Sequence, residues 1–172
     1  MREIILDNTY LVMLLPLWIF LIIMCGRFFA VYVDKKIIYM LTLISSLAGA
    51  VLCGVNIFSS TGEIAEDSFS FLRIGDFCLN GGLYVDKIGL ILGFILFAVS
   101  FIVQLFSVSY MKNEDKNYRF FALLNFFNFS MSGLIFSPNL FQIYVFWELV
   151  GIASYLLIGF EYKNSEKSEA SQ

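Results

Sequence analysis

The sequence contains no histidine. That excludes histidine haem ligation, histidine-bound zinc or copper, and Ser-His-Asp or Cys-His catalysis. Cysteine is scarce too. Cys25, Cys53 and Cys78 lie far apart and form no CxxC pair. Neither an iron–sulfur nor a zinc site is expected, and an odd count without close spacing makes no disulfide framework. Charge is the third shortage. Only 15% of the 172 residues are Asp, Glu, Lys or Arg, where soluble domains carry about a quarter. The net charge of −3 argues against nucleic acid as a partner. No Walker A or dinucleotide fingerprint is present.

What the chain does have is apolar. Hydrophobic residues make up 59%, with 20 Phe and 9 Tyr, and mean hydropathy is +0.81. A transmembrane helix needs about 20 apolar residues. Five stretches qualify or come close: Tyr10–Phe29, Ile37–Phe58, Ile88–Tyr110, Phe120–Phe136 and Asn139–Phe160. Tyr118 and Arg119 extend the fourth to the interface. The leader Met1–Thr9 sets Arg2 against Glu3 and Asp7, so the first stretch reads as a span and not as a signal peptide. The expected fold is an all-α polytopic membrane protein of about five transmembrane helices.

Loop charges orient it. With the N-terminus outside, Arg27, Lys35, Lys36, Lys112, Lys116, Arg119, Lys163 and Lys167 fall inside, and only Arg2, Arg73 and Lys87 fall outside. The positive-inside rule then gives N-out, C-in. Four regions are expected: two helices over 1–62, an extracytoplasmic loop over 63–87, three helices over 88–162, and a polar tail or loop over 163–172.

The long loop alternates. Phe69, Phe71, Phe77, Leu79, Leu83 and Val85 are interleaved with smaller or polar residues, and Gly75-Asp76 and Asn80-Gly81-Gly82 supply turn chemistry. This predicts an outside β-hairpin between the second and third helices. Asp86 follows as N-cap of the third helix. An isolated hairpin is marginal in water, so it is expected to pack on helix ends or on a neighbouring subunit.

One acid lies deep in a span. Glu148 is the tenth residue of Asn139–Phe160, roughly 14 Å from the helix start at 1.5 Å per residue. An ionised carboxylate at that depth costs ~2.5–3.5 kcal/mol or more. A carboxyl that takes and releases a proton there is a relay element; the alternative is a protonated Glu that holds helices together. Tyr144, Gly151 and Tyr155 share its face by spacing. The tyrosines either hold the carboxyl or simply pack. Two polar stripes accompany it: Ser100, Gln104 and Ser107 on the third helix, and Asn125, Asn128 and Ser132 on the fourth. They either line water near Glu148 or make interhelical hydrogen bonds, the second being favoured. A relay needs a second ionisable group, and every other charged residue lies at an interface or in a loop. The partner therefore belongs to another chain or to a longer version of this one.

The stretch Phe146-Trp147-Glu148-Leu149-Val150-Gly151-Ile152-Ala153-Ser154-Tyr155-Leu156-Leu157-Ile158-Gly159-Phe160 resembles W-E-x-V-G-x-x-S-Y-L-L-I-G-F. That signature belongs to the largest antiporter-like subunit of respiratory complex I, subunit L in bacteria and subunit 5 in mitochondria. Leu83-Tyr84-Val85-Asp86, Ser107-Val108-Ser109-Tyr110-Met111, Arg119-Phe120-Phe121 and Asn139-Leu140-Phe141-Gln142 also resemble it, in order. The resemblance is close from about Gly75 to Phe160 and general before that.

It implies proton translocation in a membrane arm, with Glu148 as the family's proton-site glutamate. Tyr144, Tyr155, Gln104, Asn125 and Asn128 are, by their spacing and not by the resemblance, the candidate proton-path or supporting polar residues. Gln104 stands where many bacterial members carry histidine. The resemblance implies no cofactor in this chain; NADH, flavin, iron–sulfur clusters and quinone are expected in other subunits. Implied partners are other membrane-arm subunits, the remaining C-terminal part of the subunit or a second chain, and lipid. Family members are several times longer, and their essential lysines lie beyond Gln172. The second reading is the large subunit of a multisubunit cation/proton antiporter or membrane-bound hydrogenase; the third is a non-transporting membrane scaffold. The composition leans towards a bacterial plasma membrane over a mitochondrial or other organellar one.

Overall fold

The computed structural model describes residues 2–28, 34–59, 64–74, 77–111 and 117–169, with backbone alone for Arg2, 27–28, 71–74, 77–79 and 160–169. Five helices and one hairpin follow in chain order: α1 Arg2–Phe28, α2 Lys35–Ser59, β1 Ala65–Ile74, β2 Phe77–Val85, α3 Lys87–Tyr110, α4 Asn117–Ile135 and α5 Leu140–Glu169. The polytopic helical architecture with a hairpin between the second and third helices is as expected. Among the described residues, four segments are long and apolar enough to cross a membrane: Glu3–Gly26, Lys35–Ser59, Lys87–Tyr110 and Leu140–Gly159.

The fourth expected span, Phe136 apart, lies within α4, which is absent from that group. Its position accounts for its composition. α4 contacts all four other helices, and Phe121, Ala122, Asn125, Asn128, Ser130 and Ser132 are buried along it. A helix wrapped by protein has less need of an apolar exterior than one facing lipid.

Two boundaries differ from expectation. α1 begins at Arg2, well before the apolar run, because Glu3 suits a first helical turn. The polar stretch from Lys163 continues α5 as helix to Glu169 instead of forming a loop. Past Gly159 it meets no glycine or proline, and Glu and Lys favour helix.

The hairpin is antiparallel, pairing Ala65 with Val85 through Ile74 with Phe77. Its register shifts between Ser70 and Leu72, so β1 carries one extra residue, a bulge. The turn residues Gly75 and Asp76 lie outside the described residues. Asn80-Gly81-Gly82 is not a turn, contrary to expectation: it runs inside β2, opposite Ser70, Phe69 and Ser68. The glycines serve close approach. A Cβ on Gly82 would collide with the Asp67 carbonyl oxygen, and one on Gly81 would sit 3.1 Å from the Phe69 ring.

The hairpin packs on one end of the bundle. Tyr10 Oη donates to Asp67 Oδ2 at 2.9 Å, and Tyr84 N–H donates to the Phe136 carbonyl at 2.9 Å. Ala65, Leu83 and Val85 join a core cluster with Ile5, Val12, Leu90, Phe97 and Phe136. A second cluster, built from Ile19, Ile23, Ile38, Met111, Phe121 and Ala122, lies towards the opposite end. Asp86 caps α3 as expected, its Oδ1 accepting from Gly89 N–H at 2.7 Å. Gly89 and Gly93, at GxxxG spacing, admit the Phe136 ring; a Cβ on Gly93 would meet it at 3.0 Å.

Candidate functional site

α5 carries the candidate relay residue. Its start is fixed by Asn139, whose Oδ1 accepts from Gln142 N–H at 2.9 Å. This is an N-cap interaction. The same segment clamps the outer edge of β2. Gln142 Oε1 accepts from Gly82 N–H at 3.0 Å, Gln142 Nε2 donates to the Gly82 carbonyl at 2.9 Å, and Asn139 Nδ2 donates to the Asn80 carbonyl at 2.7 Å. These contacts satisfy backbone groups that a bare edge strand would leave open.

The main helix contact of α5 is with α4. Phe146 is buried where a Gly133 side chain would otherwise stand, and its ring meets Phe129 edge-on at 5.5 Å. Ala153 is fully buried on the same face. Glu148 lies two residues on from Phe146 and is exposed, pointing away from α4. Tyr144, Trp147, Gly151, Ile152, Tyr155 and Ile158 are exposed as well. Their spacing of three and four residues makes one continuous stripe. A Cβ added to Gly151 would meet nothing within 4 Å. The Glu148 face is thus uncovered by the described residues, and Gly151 leaves it smooth beside the carboxyl.

The other sequence-derived residues lie elsewhere. Gln104, Asn125 and Asn128 are fully buried between α2, α3 and α4. Ser46 Oγ lies 2.8 Å from Gln104 Oε1, joining α2 to α3, and Ser100 Oγ lies 2.6 Å from Asn128 Oδ1, joining α3 to α4. Asn125 Nδ2 donates to the Phe121 carbonyl at 2.9 Å. The structure brings these three together and places Glu148, Tyr144 and Tyr155 on a different surface, with α4 between. The polar stripes therefore do not converge on Glu148 within this chain.

Two features escaped the sequence reading. One is a polar stripe on α2, where Thr42, Ser45, Ser46 and Asn56 are all buried. Their spacing of three, one and ten residues follows one helix face together with Gly49 and Cys53, and could have been counted. The other is the Gln142 clamp, for which the sequence held no local signal.

Two family models match. Residues 71–121 match the N-terminus of chain 5 of NADH-ubiquinone oxidoreductase, complex I. Residues 137–172 match the transmembrane domain described as NADH:quinone oxidoreductase/Mrp antiporter. The chain belongs to the complex I chain 5 family. Its similar chain 5 relatives include the chloroplastic NAD(P)H-quinone oxidoreductase subunit 5 of Piper cenocladum, 36% identical over 97% of this chain and 24% of the relative. The corresponding Cryptomeria japonica protein is 37% identical over 99% of this chain and 24% of the relative. NAD(P)H-quinone oxidoreductase chain 5 of Picosynechococcus sp. is 45% identical over 57% of this chain and 15% of the relative. The chain thus spans about a quarter of the length of the first two chain 5 proteins.

Proposed function

We propose that this chain is the N-terminal part of a proton-translocating membrane-arm subunit of NADH:quinone oxidoreductase, with Glu148 as its intramembrane relay carboxyl. The supporting observation is the placement of Glu148. It lies midway along the apolar Leu140–Gly159 segment, on a face of α5 that the described residues leave open. A carboxyl at that depth needs a partner or an aqueous path. The open face, smooth at Gly151, is where further helices of the subunit would supply it. Tyr144 and Tyr155 flank the carboxyl on that face; Gln104, Asn125 and Asn128 support the bundle behind it.

In this reading the chain carries no redox chemistry and binds no cofactor. NADH, flavin, iron–sulfur clusters and quinone belong to other subunits. Its partners are membrane-arm subunits, the remainder of its own subunit, and lipid. Its N-terminus lies outside and α5 ends inside, by the loop charges. Composition favours a bacterial plasma membrane over a mitochondrial or other organellar one, while the Piper and Cryptomeria relatives are named chloroplastic.

In the complete subunit, Glu148→Gln lowers proton translocation more than it lowers assembly. An unchanged proton-to-electron ratio in reconstituted vesicles removes the relay role. A second reading is the large subunit of a multisubunit cation/proton antiporter, favoured by the Mrp antiporter in the description of the matched transmembrane domain. Co-purification separates the two: a quinone-reducing peripheral arm supports the first, small antiporter subunits the second.

A further inference from the structure

Apart from Asn56 Nδ2, ten residues beyond Ser46 on α2, four buried polar atoms lack a hydrogen-bond partner among the described residues: Ser45 Oγ, Gln104 Nε2, Asn125 Oδ1 and Asn128 Nδ2. Their residues are each at most 1% exposed. Turning the amides over does not help. Gln104 already spends one amide atom on Ser46, and Asn128 one on Ser100; either orientation leaves the other atom bare. Asn125 is held by its donation to the Phe121 carbonyl, which only its amino group can make.

The four residues share one level of the bundle. α3 and α4 run antiparallel, with Gly93 against Phe136 and Ser100 bonded to Asn128. Advancing four residues from Ser100 to Gln104 goes back along α4 from Asn128 to the level of Leu124 and Asn125. Ser46, bonded to Gln104, brings its neighbour Ser45 to the same level of α2. All four therefore fall within about one helical turn, near 6 Å of axial rise. On one side this level is closed by Phe97, Cys53 and Phe136, and beyond it on the other lie Phe121 and Ala122.

We propose that this level of the α2–α3–α4 interior is a buried water-binding site, in which bound water bridges Asn125 Oδ1 to the Gln104 and Asn128 amides and to Ser45. The chemistry selects water. The uncovered atoms are donors and acceptors together, and none of the residues that carry them is charged, so an ion would go unpaired in a low-dielectric interior. About one or two waters, at about three hydrogen bonds each, cover all four atoms. The site lies on the far side of α4 from Glu148 and does not depend on the relay reading.

The intact complex tests it by two measurements. A map that resolves ordered solvent shows density within hydrogen-bond distance of Asn125 Oδ1 and of the Gln104 amide. Direct contact between the two amides, with no density between them, overturns the proposal. X-ray radiolytic footprinting makes hydroxyl radicals from bound water. Phe121, one turn from Asn125, is then modified several-fold faster than Phe136, which packs against Gly93 in the apolar cluster. Equal rates overturn it. Asn125→Leu fills the site and abolishes both signals while preserving the Phe136 rate. If that variant does not assemble, the wild-type measurements decide alone.

Discussion

Gln142→Leu is the sharpest test of how α5 is held. The substitution keeps the apolar stem of the side chain and removes both carboxamide contacts to the Gly82 backbone, at 3.0 and 2.9 Å. Asn139 and the Tyr84–Phe136 bond remain. At about 1 kcal/mol for each net hydrogen bond, the two lost bonds come to about 2 kcal/mol. At 1.4 kcal/mol per factor of ten, that raises local opening of this part of the hairpin about 30-fold. The assay is backbone hydrogen exchange on the intact subunit, read on a peptide containing Gly81 and Gly82. A peptide from mid-α3 serves as control, since Phe97 and Ser100 lie in the interior. Faster exchange at the hairpin with an unchanged control is the expected result. Unchanged hairpin exchange would refute the idea that Gln142 closes the β2 edge.

Other substitutions probe separate joints. Gly133→Ala places a Cβ in the Phe146 ring and destabilises the α4–α5 contact by about 1–3 kcal/mol; a lower melting temperature of the solubilised complex reports it. Asp86→Ala removes the α3 cap and costs about 1 kcal/mol, with Asp86→Asn restoring most of it; the same melting assay applies. A double-mutant cycle on Ser100→Ala and Asn128→Ala should give a coupling of about 0.6 kcal/mol, and no more than ~1.7, typical of interhelical hydrogen bonds in membranes. Glu148→Leu lowers pumping if the carboxyl is a relay; full activity with normal assembly favours the scaffold reading.

The helices were legible because burial in lipid demands long apolar runs. Ile88–Tyr110 became Lys87–Tyr110, and the span expected from Asn139 became a helix from Leu140. Hairpin existence was legible from alternation and from Asp86. The role of its glycines was not, because Asn-Gly-Gly reads as a turn unless the opposing strand is known to press on Gly82. The two polar stripes were legible by spacing, and both turn inward as lipid avoidance requires. Where they point relative to Glu148 was not legible. That depends on which face of α5 meets α4, which Phe146 and Gly133 decide by fitting ring to gap. The partner of Glu148 is illegible for a plainer reason: none of the charged side chains described here faces it.

The central position of α4 bears on how such a chain enters a membrane. With Asn117, Asn125, Asn128, Ser130 and Ser132 on one short helix, α4 is a poor substrate for insertion on its own, since polar residues near a helix centre oppose partitioning into lipid. Its surroundings change that balance. Translation delivers α1, α2 and α3 first. Of these, α2 carries the Tyr39 phenol bonded to Asn117 at 2.6 Å, and α3 the Ser100 hydroxyl bonded to Asn128, both on the polar side of α4. The order of synthesis thus prepares a receptive slot before its occupant emerges from the ribosome. Placing the α4 sequence ahead of α1 would send the same helix into bare lipid and should leave it outside the bilayer.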